Sequence, residues 1–312
     1  MGDSRTHPAY EEISGLRFPS FYPPHSVTSG LNYKPRDDDI FLITYARCGT
    51  SWMQQVLYLV LHNGQAPADA IQFYIKCPLL ELEGSEAVDA MPRPGIITSQ
   101  LSYDRIPKSS SAKYVLLLRD PRDVCVSMFH YLKGFPSYLF TSGKFTEFVE
   151  LFVEDETDYE GYFNHIESWW SHRNDPNVFF VTFEEMQLRP ADVVERLVRF
   201  LGITEFNEDV VKRVLKKSSA KYMREHTNTH MEEFFYTPFE TLMGDTRLSE
   251  GILAFHATVQ CSGLLDAMSN VRCVKRGVSG VWKGVLNEEQ EQRIKDRLSQ
   301  VSAEAVEELC RS

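Results

Sequence analysis

The stretch from residue 38 to residue 53 constrains the fold of this 312-residue chain more than any other. Its apolar run at 40–44 predicts a buried strand, and the residues after it predict a tight turn and a helix that begins at Thr50 or Ser51. Unpaired backbone N–H groups and the positive dipole end of such a helix form a site for an anion. Arg47 adds a fixed positive charge with several hydrogen-bond donors. The segment therefore predicts a loop that holds a phosphate-like group.

Two familiar phosphate-binding loops do not match this segment. The G-x-x-x-x-G-K-[ST] pattern is absent, and a phosphatase loop would need an arginine six residues after Cys48, where Gln54 stands. We therefore expect Cys48 to fill space rather than act as a nucleophile. A secondary hypothesis is that the nearby helix start lowers the pKa of its thiol and makes it sensitive to oxidation. Gly49 allows the backbone to come close to a ligand.

Further apolar runs predict that this strand belongs to a parallel sheet. Residues 113–118 and 177–182 are typical of buried strands, 95–98 of a short one, and helical patterns alternate with them. This alternation predicts a single α/β domain, from residue 38 to residue 312, with a central parallel sheet flanked by helices. Residues 1–37 are expected to form an irregular N-terminal arm. The predicted helices cover residues 50–62, 121–133, 144–154, 159–173, 190–201 and 207–217 and begin again near 287, whereas 64–95 is expected to be mostly loop with short helices and 225–282 to be rich in loops.

Composition excludes several classes of protein. The net charge of -11 argues against a general nucleic-acid surface. Six cysteines show neither paired nor metal-like spacing, which favours reduced thiols and no metal site. The N-terminal residues lack the apolar core of a signal peptide, and the longest apolar runs are too short to span a bilayer. We therefore expect a cytoplasmic protein without a stable membrane anchor.

Arg119 and Ser127 extend the predicted anion site. Arg119 follows the second buried strand, and Ser127 lies on the predicted helix after it. Ligands of open parallel sheets gather outside the carboxyl ends of the strands, so these residues indicate a ligand with two separated anionic groups. An ion pair of Arg119 with Asp120 or Asp123 is the structural alternative. The adjacent cations and glycines of 275–283 would suit closure over a phosphate, or would form ordinary solvated surface.

Three segments resemble motifs of the cytosolic sulfotransferases. Residues 44–52 (TYARCGTSW) are similar to the family's T-Y-P-K-S-G-T-T-W loop, and residues 119–127 (RDPRDVCVS) to its R-N-P-K-D-V-A-V-S segment. Residues 275–283 (KRGVSGVWK) resemble its terminal R-K-G-x-x-G-D-W-K. All occur in family order and at family spacing, together with weaker matches, so the resemblance runs from about residue 18 to residue 283.

The resemblance implies a donor, 3′-phosphoadenosine 5′-phosphosulfate, and transfer of its sulfuryl group to a hydroxyl or amine of a small aromatic acceptor. The predicted loop would be a P-loop-like phosphosulfate-binding loop. The donor-binding residues carried over by motif are Arg47, Cys48, Gly49, Thr50 and Ser51 for the phosphosulfate, Trp52 and Phe183 for the adenine, and Arg119, Ser127, Lys275, Arg276 and Gly277 for the 3′-phosphate, with Ser218 added from a weaker match. The acceptor-pocket residues by rough position are Phe21, Phe73, Tyr74 and Met128, for which core packing is the alternative.

The sequence departs from the family at its catalytic positions. Gln100 stands where the family has its catalytic histidine, and Thr98 where it has a lysine. Glutamine orients an acceptor by hydrogen bonding but cannot take its proton, and loss of a general base costs about 10²–10⁴-fold in rate. The alternative bases by rough position are His25, His130 and His165, of which the last two lie on predicted helices that favour a structural role.

These departures leave two hypotheses. In the first, the protein is an active sulfotransferase for acceptors that need little help, namely phenols of low pKa and neutral amines, with Arg47 in the place of the loop lysine. In the second, it is a catalytically impaired pseudoenzyme that binds a nucleotide or a small ligand. The family's dimer motif is altered after Lys283, where Asn287 and Glu288 replace T-V, so we expect a monomer or a non-standard homodimer.

Overall fold

The computed structural model describes residues 7–261 and 278–311, and it centres on a parallel sheet of four strands. In chain order, the strands of the described residues are β1 (Glu11–Ile13), β2 (Leu16–Phe18), β3 (Ile40–Thr44), β4 (Ile97–Ser99), β5 (Lys113–Leu118) and β6 (Val178–Thr182). The last four form the sheet in the order β4-β3-β5-β6, so that Leu42 of β3 lies opposite both Thr98 and Val115. β1 and β2 form a separate antiparallel hairpin.

Helices flank this sheet, as the sequence predicts, and the α/β fold with a central parallel sheet is confirmed. Within the described ranges, no helix combines the length and the apolar character needed to cross a bilayer. A 3₁₀ turn covers Pro136–Tyr138, and a π-helical turn covers Met223–Thr227. The helices are α1 (Pro24–Leu31), α2 (Thr50–Leu61), α3 (Ala70–Lys76), α4 (Leu80–Ala90), α5 (Pro121–Gly134), α6 (Phe145–Val153), α7 (Tyr162–Trp170), α8 (Phe183–Leu188), α9 (Pro190–Leu201), α10 (Glu208–Lys217), α11 (Ala220–Tyr222), α12 (Asn228–Tyr236), α13 (Phe239–Met243), α14 (Glu250–Cys261), α15 (Glu288–Val301) and α16 (Ala303–Leu309).

The central strands β3 and β5 are covered on both faces, which explains their continuous apolar runs. Residues 41–43 of β3 and 115–118 of β5 are fully buried. The register pairs Thr44 with Leu117, so the carboxyl ends of β3 and β5 lie side by side. The two predicted anion-binding segments, which follow these strands, are thereby brought together.

The N-terminal arm is more regular than predicted. It contains the hairpin β1–β2 and helix α1, and Arg17 exchanges two backbone hydrogen bonds with Tyr159, at 3.1 and 2.7 Å. The expectation of an irregular arm is therefore wrong for these residues, because pairing with a distant segment supplies order that the local sequence does not encode. The proposed domain boundary at residue 37 stays a prediction.

The region predicted to be rich in loops, 225–282, contains helices α12, α13 and α14, so that prediction is wrong for its described part. Tertiary packing stabilises α14, because Gly251 lies so close to α4 that an added Cβ would be 1.9 Å from the Leu82 carbonyl oxygen. Gly30 of α1 makes the same kind of contact, and a Cβ there would lie 2.5 Å from the Leu80 carbonyl oxygen. Helix α4 is therefore in direct main-chain contact with both α1 and α14.

Candidate active site

The anion loop connects β3 to α2 and contains two residues in the left-handed backbone region. Arg47 has φ 71° and Gly49 has φ 102°, a region that glycine tolerates and that costs other residues about 1–2 kcal/mol. Gly49 is required for a second reason, since a Cβ there would lie 2.6 Å from the ring of Phe183. A hydroxyl hydrogen bond of 2.7 Å between Thr44 and Thr50 joins the two ends of the loop. No side chain of the described residues caps the start of α2, which leaves that end open to an anion.

The Arg47 side chain is held against α5. Its Nε donates to Ser127 Oγ at 3.1 Å, and its guanidinium carbon lies 5.2 Å from the centre of the Tyr131 ring, within cation–π range. The resemblance assigns Arg47 to the phosphosulfate and Ser127 to the 3′-phosphate. Their direct contact places the two predicted residues close enough to serve one ligand.

Arg119 ties the anion loop to the chain at residue 278. Its guanidinium donates to the carbonyl oxygens of Arg47 and Val278, each at 3.0 Å. It also forms an ion pair with Asp123 at 3.3 Å, whereas Asp120 pairs with a different arginine. One of the two ion pairs considered for Arg119 is therefore present, and the same side chain still reaches the loop.

Asp123 anchors the segment that follows the basic motif. Its two carboxylate oxygens accept hydrogen bonds from the backbone N–H groups of Gly280, at 2.8 Å, and Trp282, at 3.1 Å. The predicted phosphate-binding residues Lys275, Arg276 and Gly277 lie outside the described residues. The chain that directly follows them is thus fixed beside Arg119.

Trp52 and Phe183, predicted to hold the adenine, form an aromatic pair beside Arg119. Their ring centres are 5.3 Å apart at an angle of 74°, and the Arg119 guanidinium carbon lies 4.2 Å from the centre of the Phe183 ring. Two buried donors here, Trp52 Nε1 and Arg119 Nε, have no hydrogen-bond partner among the described residues. Such donors are costly unless a ligand or water satisfies them, so this part of the site suits a ligand rich in hydrogen-bond acceptors.

Two other residues that are predicted to bind the sulfuryl donor are buried within the protein. Cys48 is fully buried, and burial raises the pKa of its thiol to about 12. The hypothesis of a lowered pKa is therefore wrong, because desolvation of the thiolate outweighs the effect of the helix start. Ser218 is also buried, and its hydroxyl donates to the Val214 carbonyl oxygen within α10 at 2.8 Å.

A cavity of about 250 Å³ lies beside the anion loop. Arg47, Thr50 and Ser51 form one part of its wall, and Gln100 forms another. The loop and the residue in the position of the family's histidine therefore face the same space. Much of the remaining wall is aromatic or aliphatic, as in sites for small organic molecules.

Three of the four predicted pocket residues, Phe21, Phe73 and Tyr74, line this cavity. The fourth, Met128, is fully buried and is not part of the wall. Its assignment to the pocket is therefore wrong, because its position on α5 turns it into the core. Sequence reasoning missed the lining residues that come from distant segments, among them Tyr22, Glu83, Tyr131, Phe135, Tyr138, Asp158, Tyr159 and Phe255.

Gln100 lines the cavity directly after β4, and its backbone N–H is hydrogen-bonded to Glu81. The Gln100 N–H donates to Glu81 Oε1 at 3.4 Å, and the same oxygen accepts a short hydrogen bond from the Ser99 hydroxyl. Burial raises the pKa of Glu81 to about 7. Thr98 also lines the cavity and accepts a hydrogen bond of 2.8 Å from Gln54 Nε2.

None of the three alternative histidines lines the cavity. His165 is buried, and burial lowers its pKa to about 3, so it stays neutral. His25 lies on the surface within 3.3 Å of a glutamate carboxylate, and His130 is exposed on α5. The acids of the wall are Glu83 and Asp158, and burial raises the pKa of each to about 7.

An anion loop at the carboxyl edge of a parallel sheet, opening into an aromatic cavity, is typical of an enzyme that transfers a group from a phosphorylated donor to a small molecule. The sequence pattern of the Sulfotransferase domain matches residues 37–238. The chain therefore belongs to the sulfotransferase family, and the family predicted from its motifs is confirmed.

Individual relatives agree with this membership. Dog (Canis lupus familiaris) sulfotransferase 1B1 is 28% identical over 210 residues, which cover 62% of this chain and 69% of the relative. Human sulfotransferase 4A1 is 31% identical over 202 residues, which cover 62% of this chain and 70% of the relative. The crystal structure of mouse sulfotransferase SULT7A1 complexed with PAP has a TM-score of 0.68 at 22% identity, covering 97% of this chain and 98% of that one. This last likeness supports the fold, whereas the roles of individual site residues stay predictions.

Proposed function

We propose that this protein transfers the sulfuryl group of 3′-phosphoadenosine 5′-phosphosulfate to a hydroxyl or amine of a small aromatic acceptor. Membership of the sulfotransferase family gives the class of reaction. The assignment of the anion loop to the donor and of the cavity to the acceptor rests on one observation. Arg47, Thr50 and Ser51 lie in the wall of the same cavity as Gln100. The donor loop and the acceptor cavity meet at one place, as direct transfer between bound molecules requires.

The residues at the nucleotide end suit this donor. Buried N–H donors of Trp52 and Arg119 lack protein partners among the described residues, and the start of α2 has no side-chain cap there. When bound, the donor supplies an activated sulfuryl group on its 5′-phosphate. PAP in the mouse SULT7A1 structure supports this choice. We assign residues 47–51 to the phosphosulfate, Trp52 and Phe183 to the adenine, and Arg119 and Ser127 to the 3′-phosphate, with Ser218, Lys275, Arg276 and Gly277 added by motif alone.

The residues of the cavity wall limit the classes of acceptor that can react. Transfer forms a bond from the acceptor oxygen or nitrogen to sulfur and breaks the bond from sulfur to the 5′-phosphate oxygen. A neutral acceptor then loses its proton to solvent, whereas an ionised phenol has none to lose. Arg47 keeps its charge at neutral pH and stabilises the negative charge that develops on the departing oxygen. Gln100 orients the acceptor through its amide but cannot take the proton. The acceptors that fit are phenols of low pKa, which are already ionised, and neutral amines, which attack before they lose a proton.

A second candidate function is a nucleotide- or ligand-binding pseudoenzyme. It is favoured by Gln100 and Thr98, which stand in the wall where the family has a histidine and a lysine. The described residues that line the cavity include no histidine in their place. The loop and the cavity would then bind their ligands without turnover.

The proposal includes a cytoplasmic location and a monomer or a non-standard homodimer. The five cysteines of the described residues are all unpaired, as in proteins of a reducing compartment. Asn287, in the position of the altered dimer motif, caps α15 through a capping box with Gln290. In this chain, the segment at the position of the family's dimer motif therefore forms the start of α15.

The test is transfer of labelled sulfate from the donor to a panel of phenols, amines and alcohols that spans acceptor pKa. We expect transfer to acidic phenols or amines and little transfer to alcohols. Arg47→Ala serves as the control that should abolish transfer. Absence of transfer to every acceptor, with PAP still bound tightly, would favour the pseudoenzyme.

A further inference from the structure

We propose that Asp123 is a positioning residue for the nucleotide. It fixes the guanidinium of Arg119 and the backbone of residues 278–282 against each other, so that recognition of the donor's 3′-phosphate depends on a carboxylate that does not touch the nucleotide. The inference rests on the proposed function only through the assignment of Arg119 to the 3′-phosphate. Its test therefore requires binding of nucleotides but no transfer of a sulfuryl group.

Asp123 lies in the first turn of α5 and is fully buried. Its Oδ2 accepts hydrogen bonds from the Gly280 N–H at 2.8 Å and from Arg119 Nη2 at 3.3 Å. Its Oδ1 accepts a hydrogen bond from the Trp282 N–H at 3.1 Å. A buried carboxylate is costly unless it is paired and hydrogen-bonded. Here the compensation comes from Arg119 and from a segment that is distant along the chain, so the carboxylate joins the two.

The turn that begins at Gly280 directs two backbone N–H groups toward this carboxylate. Gly280 has φ 76°, in the left-handed region that glycine tolerates. A hydrogen bond of 3.2 Å from the Lys283 N–H to the Gly280 carbonyl oxygen closes the turn. The Trp282 ring packs on Arg122, whose guanidinium carbon lies 4.0 Å from the ring centre. Two consecutive residues of α5 thus hold the same turn, Arg122 by stacking and Asp123 by hydrogen bonds.

Arg119 is restrained by the same arrangement. Its Nη2 is shared between Asp123, at 3.3 Å, and the Val278 carbonyl oxygen, at 3.0 Å. Its Nη1 donates to the Arg47 carbonyl oxygen in the anion loop at 3.0 Å. Because Asp123 binds Gly280, Val278 two residues earlier stays within reach of Arg119. A guanidinium that is already fixed binds an anion at a lower entropic cost than a mobile one.

The charge of Asp123 acts in the opposite direction, which makes the sign of its effect decisive. A carboxylate repels a phosphate, so a variant that lost only this charge would bind the 3′-phosphate more tightly. Loss of the hydrogen bonds frees Arg119 and leaves the N–H groups of Gly280 and Trp282 without their acceptor. We expect the positional effect to prevail, because three donors already compensate the charge of Asp123.

Calorimetric binding of 3′-phosphoadenosine 5′-phosphate (PAP) and adenosine 5′-phosphate (AMP) to the full chain tests this proposal, because the two nucleotides differ only in the 3′-phosphate. Asp123→Asn keeps the shape of the side chain, but its NH₂ group faces one of the N–H donors. We expect this variant to bind PAP about tenfold or more weakly, with the Kd of AMP within about threefold of wild type. In an Arg119→Ala background, adding Asp123→Asn should change the ratio of the two Kd values by less than about twofold.

Glu184→Gln is the matched control. The Glu184 carboxylate also lies near Arg119, but it accepts its hydrogen bond from the Asp120 N–H, at 3.2 Å, rather than from residues 278–282. This variant removes a carboxylate near the same arginine without releasing the turn. It should therefore keep the ratio of the Kd values for PAP and AMP within about twofold of wild type.

A wild-type protein without a preference for PAP over AMP overturns the proposal. A folded Asp123→Asn variant that keeps or increases the preference also overturns it, as does an equal loss in Glu184→Gln or a further loss in the Arg119→Ala background. If Asp123→Asn does not fold, amide hydrogen exchange of the wild-type protein replaces it. The N–H groups of Gly280 and Trp282 should exchange about fivefold or more slowly with saturating PAP than with saturating AMP, and equal rates overturn the proposal.

Failure of the proposed function gives a different result. The preference for PAP would then be intact and dependent on Asp123, which supports the positioning role, but no labelled sulfate would reach any acceptor.

Discussion

Replacing Arg47 by glycine and by alanine separates the strain of the anion loop from the function of its side chain. Both variants lose the guanidinium with its 3.1 Å hydrogen bond to Ser127 and its contact with the Tyr131 ring. Only glycine relaxes the left-handed φ of 71° at this position. The difference between the two variants therefore reports the backbone alone.

The magnitude follows from that backbone conformation. A left-handed residue with a Cβ costs about 1–2 kcal/mol, and glycine loses about 0.5–1 kcal/mol more backbone entropy on folding than alanine. At the middle of these ranges, Arg47→Gly should be more stable than Arg47→Ala by about 0.75 kcal/mol, or roughly 2 °C in Tm. The lost side-chain contacts are the same in both variants and cancel.

Urea unfolding followed by circular dichroism gives the two free energies of unfolding, and transfer of labelled sulfate gives the activities. Both variants should lose transfer, because neither carries the positive charge that stabilises the departing oxygen. If Arg47→Ala is as stable as Arg47→Gly, or more stable, the loop does not hold residue 47 in a strained conformation and the reasoning is refuted.

Gln100→His should raise turnover of weakly acidic alcohols more than that of acidic phenols, by up to about 10²-fold, since it supplies a base; equal gains across acceptor pKa would contradict this. Arg119→Ala should weaken the affinity for 3′-phosphoadenosine 5′-phosphate, measured by calorimetry, far more than the affinity for adenosine 5′-phosphosulfate, which lacks the 3′-phosphate. Equal losses of affinity would show that Arg119 does not bind the 3′-phosphate. Cys48 should resist a thiol reagent at mildly alkaline pH until the protein is unfolded, because burial raises its pKa to about 12; rapid modification of the native protein, mapped by mass spectrometry, would show that the loop is open. Burial raises the pKa of Asp158 from 3.8 to about 7, so the folded state binds more protons than the unfolded state between these values. The free energy of unfolding should therefore fall as pH rises through that window, and an Asp158→Asn variant with an unchanged slope would exclude Asp158 as a cause.

The donor side of the site was predictable because its signals are local. The apolar run 40–44 and the glycine at 49 act within a few residues, and the structure has β3 and a left-handed turn at these positions. Asp120 accepts from the backbone N–H of Arg122 at the start of α5, as its place before a proline predicts. Such signals depend on neighbours along the chain, which a single sequence displays.

The acceptor side was less predictable because distant segments assemble it. Tyr22, Tyr131, Asp158 and Phe255 meet in one wall although well over a hundred residues separate the first from the last, and no periodicity within one sequence links them. The helices of 228–261 were missed for a related reason. No described side chain caps α12 or α13, and contact of α14 with α4 replaces the local signals that mark a helix.

The main-chain contact between α4 and α14 limits how the acceptor cavity changes during evolution. Helix α4 contributes Leu82 and Glu83 to the wall, and α14 contributes Ile252 and Phe255. Since Gly251 seats α14 directly on the α4 backbone, no side chain lies between them there that could be shortened to widen the space. The distance between these two helices is therefore fixed by the contact between their backbones. Larger acceptors must therefore be admitted by shortening rings such as that of Phe255, so that substrate range evolves at a few aromatic positions within a constant frame.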